Sequence, residues 1–172
     1  MNFKSLKIGA AIAGALMISS VSAGQLVVTN GAAKKGAQSM ALDFATDGNA
    51  TALQFEISLP KGVSADQVDL SACTADLPKT HGGACNVAKG KIIGLVFSDS
   101  NELLPAGVVS IGRISFRGSN AKVGAMQVTK FLVSDANANQ LEAKVMVDGA
   151  ASDGPMKAPV RTNRKVDPAS EF

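Results

Sequence analysis

An antiparallel β-sandwich or jelly roll of eight or nine strands is predicted by three features of the sequence. Short apolar runs alternate with polar residues at a period of two. Gly, Asn, Asp and Pro punctuate them at close spacing. No stretch beyond residue 23 carries a capped helical stripe. Together these favour a two-layer all-β domain.

The chain begins with a segment read apart from that fold. Met1–Ala23 has a positive stub (Lys4, Lys7), an apolar run from Ile8 to Ile18, and small residues at Val21-Ser22-Ala23. This is the pattern of a secretory signal peptide, and its apolar run is too short to span a bilayer. The expected domain is 24–150, with 151–172 a disordered, weakly basic tail that includes Lys157, Arg161, Arg164 and Lys165. Export to periplasm or medium is expected, with no membrane insertion once the leader is gone.

Gln25–Thr29 is the first β-prone run, and Asn30-Gly31 and Lys34-Lys35-Gly36 are expected to break it. Met40, Leu42 and Phe44 alternate with small or polar neighbours. Leu53, Phe55, Ile57 and Leu59 then point one way, and Gln54, Glu56 and Ser58 the other. Asp47-Gly48-Asn49 between these runs predicts a hairpin turn. Val63–Leu70 reads as a short strand or an extended crossing, and Cys73–Cys85 as a loop. Lys91–Phe97 is apolar at both parities, which predicts a central strand. Val109 and Ile111 are out of phase with Ile114 and Phe116, so a β-bulge is expected near Gly112-Arg113. The same slip separates Met126 and Val128 from Phe131 and Val133. Asp135–Gln140 reads as a turn, and Leu141, Ala143, Val145 and Val147 as one last alternating strand. Phe44, Phe55, Phe97, Phe116 and Phe131 are all expected in the core.

This pattern resembles the cohesin domain, the module that holds dockerin-bearing enzymes in cellulosome scaffolds. The likeness rests on Ala52–Val63 (Ala-Leu-Gln-Phe-Glu-Ile-Ser-Leu-Pro-Lys-Gly-Val), Lys91–Ser98, Leu104–Phe116 (Leu-Pro-Ala-Gly-Val-Val-Ser-Ile-Gly-Arg-Ile-Ser-Phe) and a last strand ending Val145–Gly149. It covers roughly Gln25 to Gly149. It implies a nine-stranded jelly roll, a non-catalytic role, and a protein partner of the dockerin type met on one sheet face. The contact residues carry no motif in this sequence. Outward positions such as Gln54, Glu56, Ser58, Glu142 and Lys144 are candidates that a merely solvated strand face would equally present.

Charge and composition narrow the partners. The formal charge is +3, but without Lys4 and Lys7 the chain has 15 basic and 14 acidic residues. A near-neutral body has no electrostatic footprint for nucleic acid. There is no Trp and no Tyr, so the amphipathic rings that commonly stack on sugars are missing. Carbohydrate binding is thus the alternative to protein binding, and an adhesive or structural role stays open beside it.

Candidate chemistry is sparse, and no enzyme or cofactor is expected. Cys73 and Cys85 are the only cysteines, and an even count in an exported chain predicts a disulfide. It would close a loop of about a dozen residues, an entropic contribution of about 3 kcal/mol. A metal site of Cys73, Cys85 and His81 lacks a fourth ligand and the usual spacing. His81, the only histidine, reads as a solvated loop residue without a catalytic partner. Asp135-Ala136-Asn137-Ala138-Asn139 begins like a calcium loop, but Gln140 and Met146 fill the positions that require Gly and Glu, so a polar turn is the better reading. Asp66, Asp69 and Asp76 are scattered carboxylates. Gly82-Gly83 and Lys89-Gly90-Lys91 lack the strand–loop–helix context of a phosphate cradle. Asn49-Ala50-Thr51 fits a glycosylation acceptor and is also turn chemistry.

Overall fold

The computed structural model describes residues 24–34, 37–118, 126–147 and 150–151; the expected leader at 1–23 and the expected tail from residue 152 onward lie outside them. The strands are β1 Gly24–Lys34, β2 Ala37–Thr46, β3 Ala52–Ser58, β4 Val68–Asp69, β5 Gly82–Ala88, β6 Lys91–Phe97, β7 Gly107–Arg117, β8 Val128–Ser134, β9 Gln140–Leu141, β10 Ala143–Val147 and β11 Ala150–Ala151. A 3-10 turn, Ala65–Gln67, precedes β4. Eight strands are five residues or longer, and β4, β9 and β11 have two residues each. A six-stranded sheet has the order β11-β10-β1-β2-β7-β4, and a five-stranded sheet the order β5-β6-β3-β8-β9.

Alternation along each strand supplies the core. Leu26 and Val28 of β1, Met40, Leu42 and Phe44 of β2, and Ile114 and Phe116 of β7 face inward from one sheet. Leu53, Phe55, Ile57, Ile92, Val96, Phe131 and Val133 face them from the other. Phe44 and Phe131 meet edge to face across the layers, with ring centroids 5.9 Å apart. Each such side chain stabilises the fold by about 1.5–3 kcal/mol through burial. Gly94 sits where a Cβ would lie 2.0 Å from the Phe55 ring, so this strand position admits no side chain.

Both phase slips in the sequence correspond to bulges. Leu42 pairs with Gly112 and Asp43 with Ser110, which leaves Ile111 as the extra residue in β7. Glu56 pairs with Lys130 and Ile57 with Val128, which leaves Thr129 extra in β8. Several expectations need correction. β1 runs on through Asn30-Gly31 to Lys34, because β2 pairs with it from Thr46 back to Ala37. Asp47-Gly48-Asn49 is a tight turn, with Asp47 Oδ1 accepting the Asn49 N–H at 3.1 Å. It joins no hairpin; it carries the chain from β2 in one sheet to β3 in the other. The last alternating run splits at Glu142. Its first part, β9, pairs with β8. The remainder, β10, pairs parallel with β1, Leu26 opposite Val145. Cys85 lies in a strand, not a loop.

The segment after β4 closes one side of the sandwich. Ala72 O accepts the Arg113 N–H at 2.7 Å, and the Asp76 N–H donates to Ile111 O at 3.2 Å, so the segment docks on the β7 bulge. Cys73 in this segment is bonded to Cys85 of β5. The disulfide therefore ties the β4 side of one sheet to the β5 edge of the other. The chain-entropy estimate for this separation of 12 residues is about 3 kcal/mol.

Candidate protein-binding face

The outer face of the five-stranded sheet carries exposed apolar side chains. In β6, Ile92 and Val96 point into the core while Lys91, Ile93, Leu95 and Phe97 point out. Leu95 is 44% exposed and Phe97 36%. Pairing places Gln54 of β3 between Leu95 and Leu132 of β8. Leu95, Leu132, Ala52 and Ala138 line a shallow depression of about 230 Å³. Beside this apolar band lies an ion cluster. Glu56 meets Lys91 at 2.9 Å and Lys130 at 3.9 Å. The hydrogen bond from Lys91, with the charges of both lysines, holds the Glu56 carboxyl below its ordinary pKa despite partial burial.

A strand in a two-layer sandwich has only one face to bury. Apolar residues at both parities of Lys91–Phe97 thus leave one apolar stripe in water, and Phe97 is an exposed residue, not a core one. Gln54, Glu56 and Ser58 do line this face. Glu142 does not join them, since it sits exposed between β9 and β10, and Lys144 projects from β10 in the other sheet. The outer face of that six-stranded sheet holds a broader depression of about 540 Å³, lined by small and hydroxyl side chains such as Thr29, Ser39 and Ser115 with Arg113.

No protein-family model matches the sequence, and no curated protein does. Solved structures are similar in fold. A type II cohesin dyad from an adaptor scaffoldin of Acetivibrio cellulolyticus aligns over 71% of this chain and 46% of its own, with TM-score 0.51 and 10% identity. The type II cohesin A11 of Bacteroides cellulosolvens aligns over 71% and 95%, with TM-score 0.50 and 10% identity. A non-cellulosomal cohesin of Archaeoglobus fulgidus aligns over 72% and 85%, with TM-score 0.48 and 14% identity. The chain has the cohesin fold. Within this cohesin fold the apolar band lies on β6 and β8, flanking β3, and the disulfide lies at the β5 edge of the same sheet.

The other sequence candidates fall elsewhere. His81 is buried, 8% exposed, at the entry to β5, and so is not the solvated residue its polar neighbours suggested. Its Nδ1 lies 3.0 Å from Thr80 Oγ1, and Nε2 is buried without a hydrogen-bond partner. Burial lowers its pKa, against the opposing influence of backbone groups of Glu102 and Thr51 and the Glu102 charge. The Asp135 carboxylate is fully occupied within its own turn. Oδ1 accepts the Asn137 and Asn139 N–H groups at 2.9 and 2.8 Å, and Oδ2 accepts Asn139 Nδ2 at 3.0 Å. Asp69 accepts Ser71 Oγ at 2.7 Å and pairs with Arg117 at 3.7 Å. Among the described residues, no three His, Cys, Asp or Glu side chains converge as a metal site, and no helix is long and apolar enough to cross a membrane.

Proposed function

We propose that this chain is an exported, non-catalytic binding module that meets a protein partner through the outer face of its five-stranded sheet. The observation that carries the reading is the outward Ile93, Leu95 and Phe97 stripe, half-buried at Ile93 and exposed at Leu95 and Phe97, with Leu132 two strands away. Such a cluster is the kind of apolar anchor from which interface hot spots are built. Lys91, Glu56 and Lys130 give it a polar rim that excludes water from the contact and favours acidic groups on the partner. A dockerin-type module is the partner class that the cohesin likeness suggests. The Cys73–Cys85 bond accords with an oxidising compartment, and with removal of residues 1–23 to leave a domain of 24–150 followed by its basic tail.

The test is binding of dockerin modules to the mature protein, with and without calcium, by isothermal titration. Saturable binding by at least one module, lost on Leu95→Asp, is the expected result. Heat signals that are flat for every module would remove the dockerin assignment. Glycan-array binding abolished by substitutions on this face would replace the protein partner with a carbohydrate.

A further inference from the structure

We infer that the β5 edge pairs with the β5 edge of a second copy of this chain, joining two five-stranded sheets into one. The other sheet ends are blunted. β4, β9 and β11 are two residues long. Past β9, β8 carries the Thr129 bulge and Lys130. Past β4, the β7 bulge is capped by the Ala72–Asp76 segment. Past β11, β10 offers only a few residues, including Lys144. These are the devices by which sheet edges avoid pairing. β5 itself carries no bulge, charge or proline; the segment from Cys73 lies against its inner side, with Thr74 and Leu77 at the Gly83 Cβ position. Gly82-Gly83-Ala84-Cys85-Asn86-Val87-Ala88 is seven residues long and is paired without a register shift.

Its unpaired backbone groups follow from the hairpin. Lys89 and Gly90 both have positive φ, 52° and 72°, the two-residue turn whose flanking residues, here Ala88 and Lys91, form a hydrogen-bonded pair. Pairing alternates from there. Gly82, Ala84, Asn86 and Ala88 therefore spend their N–H and C=O groups on β6. Gly83, Cys85 and Val87 turn theirs outward, and among the described residues no hydrogen bond reaches them.

The outward set is self-complementary. A two-fold axis through Cys85, perpendicular to the sheet, sets Gly83 against Val87 of the second copy, Cys85 against Cys85 and Val87 against Gly83. Every free N–H then meets a free C=O, for six new hydrogen bonds. Ala84 and Asn86 oppose each other on the outer face, small and uncharged, so no charge there repels the copy. The axis keeps both outer faces on the same side. The two Ile93–Leu95–Phe97 stripes would then lie about 14 Å apart, three strand spacings. This pairing does not depend on what binds those stripes.

Sedimentation velocity on the mature protein tests it. A species of twice the monomer mass, growing with concentration, is expected for the wild type. Val87→Pro removes an outward donor while leaving the β6 ladder intact. It deletes two of the six bonds and is expected to weaken association about tenfold or more. Ala84→Lys sets two ammonium groups beside the axis and is expected to weaken association also. Ala84→Lys with Asn86→Glu is expected to restore it, by placing opposite charges across the strands. Thermal unfolding confirms that each variant is folded. A wild type that stays monomeric up to about 1 mM overturns the inference, whether the edge is then open or covered by another strand. So does a dimer indifferent to Val87→Pro and Ala84→Lys.

Discussion

Gly112→Ala is expected to destabilise the domain severely, because Gly112 is where the segment after β4 presses on the β7 bulge. A Cβ built there would lie 2.3 Å from Ala72 O and 2.6 Å from Cys73 O. These are backbone atoms and cannot rotate away. The segment could withdraw only by giving up the Arg113–Ala72 and Asp76–Ile111 hydrogen bonds, each about 1 kcal/mol net. If it stays, overpacking costs about 1–3 kcal/mol. Backbone strain at φ +155° adds about 1–3 kcal/mol. The expected loss is about 2–5 kcal/mol, a large share of the 5–15 kcal/mol of a typical domain. Gly62→Ala is the control. Gly62 has φ +86° but nothing within 4 Å of its Cβ position, so only the left-handed strain of about 1–2 kcal/mol applies. Urea unfolding of both variants measures the difference. A Gly112→Ala loss no larger than that of Gly62→Ala would refute the docking of this segment on β7.

Two further perturbations follow from the same end of the molecule. Cys73→Ala with Cys85→Ala is expected to lower unfolding stability by about 3 kcal/mol, and a loss below about 1 kcal/mol in denaturant titrations would contradict the staple. His81 has a native pKa below its unfolded value of about 6.5. Its contribution is therefore complete above that pH and is lost as pH falls through the native pKa, where the buried ring must take up a proton. His81→Gln is expected to flatten the decline in melting temperature on acidification below about pH 6.5; parallel curves for wild type and variant would refute this.

Strand parity was legible in the sequence, since alternation is set by local burial alone. Even the bulges at Ile111 and Thr129 showed, as one-residue slips of phase between Ile111 and Ile114 and between Val128 and Phe131. Sheet membership was not. Asp47-Gly48-Asn49 has the same turn chemistry whether the chain reverses within a sheet or crosses between sheets. Leu141–Val147 keeps its parity through Glu142 although β9 and β10 belong to different sheets. The parallel pairing of β1 with β10 joins segments more than 100 residues apart, and nothing local encodes it. The candidate face was half legible. The pattern marks Gln54, Glu56 and Ser58 as outward, whereas Ile93, Leu95 and Phe97 share a run apolar at both parities, which does not tell which parity faces water. His81 looked solvated because the groups that bury it come from distant loops.

On the proposed reading, this domain presents the outer face of its five-stranded sheet to a protein. The most direct measurement is the affinity of a bound partner for the wild type, for Leu95→Asp on that face, and for Val108→Asp on the six-stranded sheet, where Val108 is 73% exposed. Leu95→Asp is expected to lose at least about 30-fold, the scale of a hot-spot residue, while Val108→Asp binds as the wild type does. Equal affinities for all three, or loss only with Val108→Asp, would contradict it.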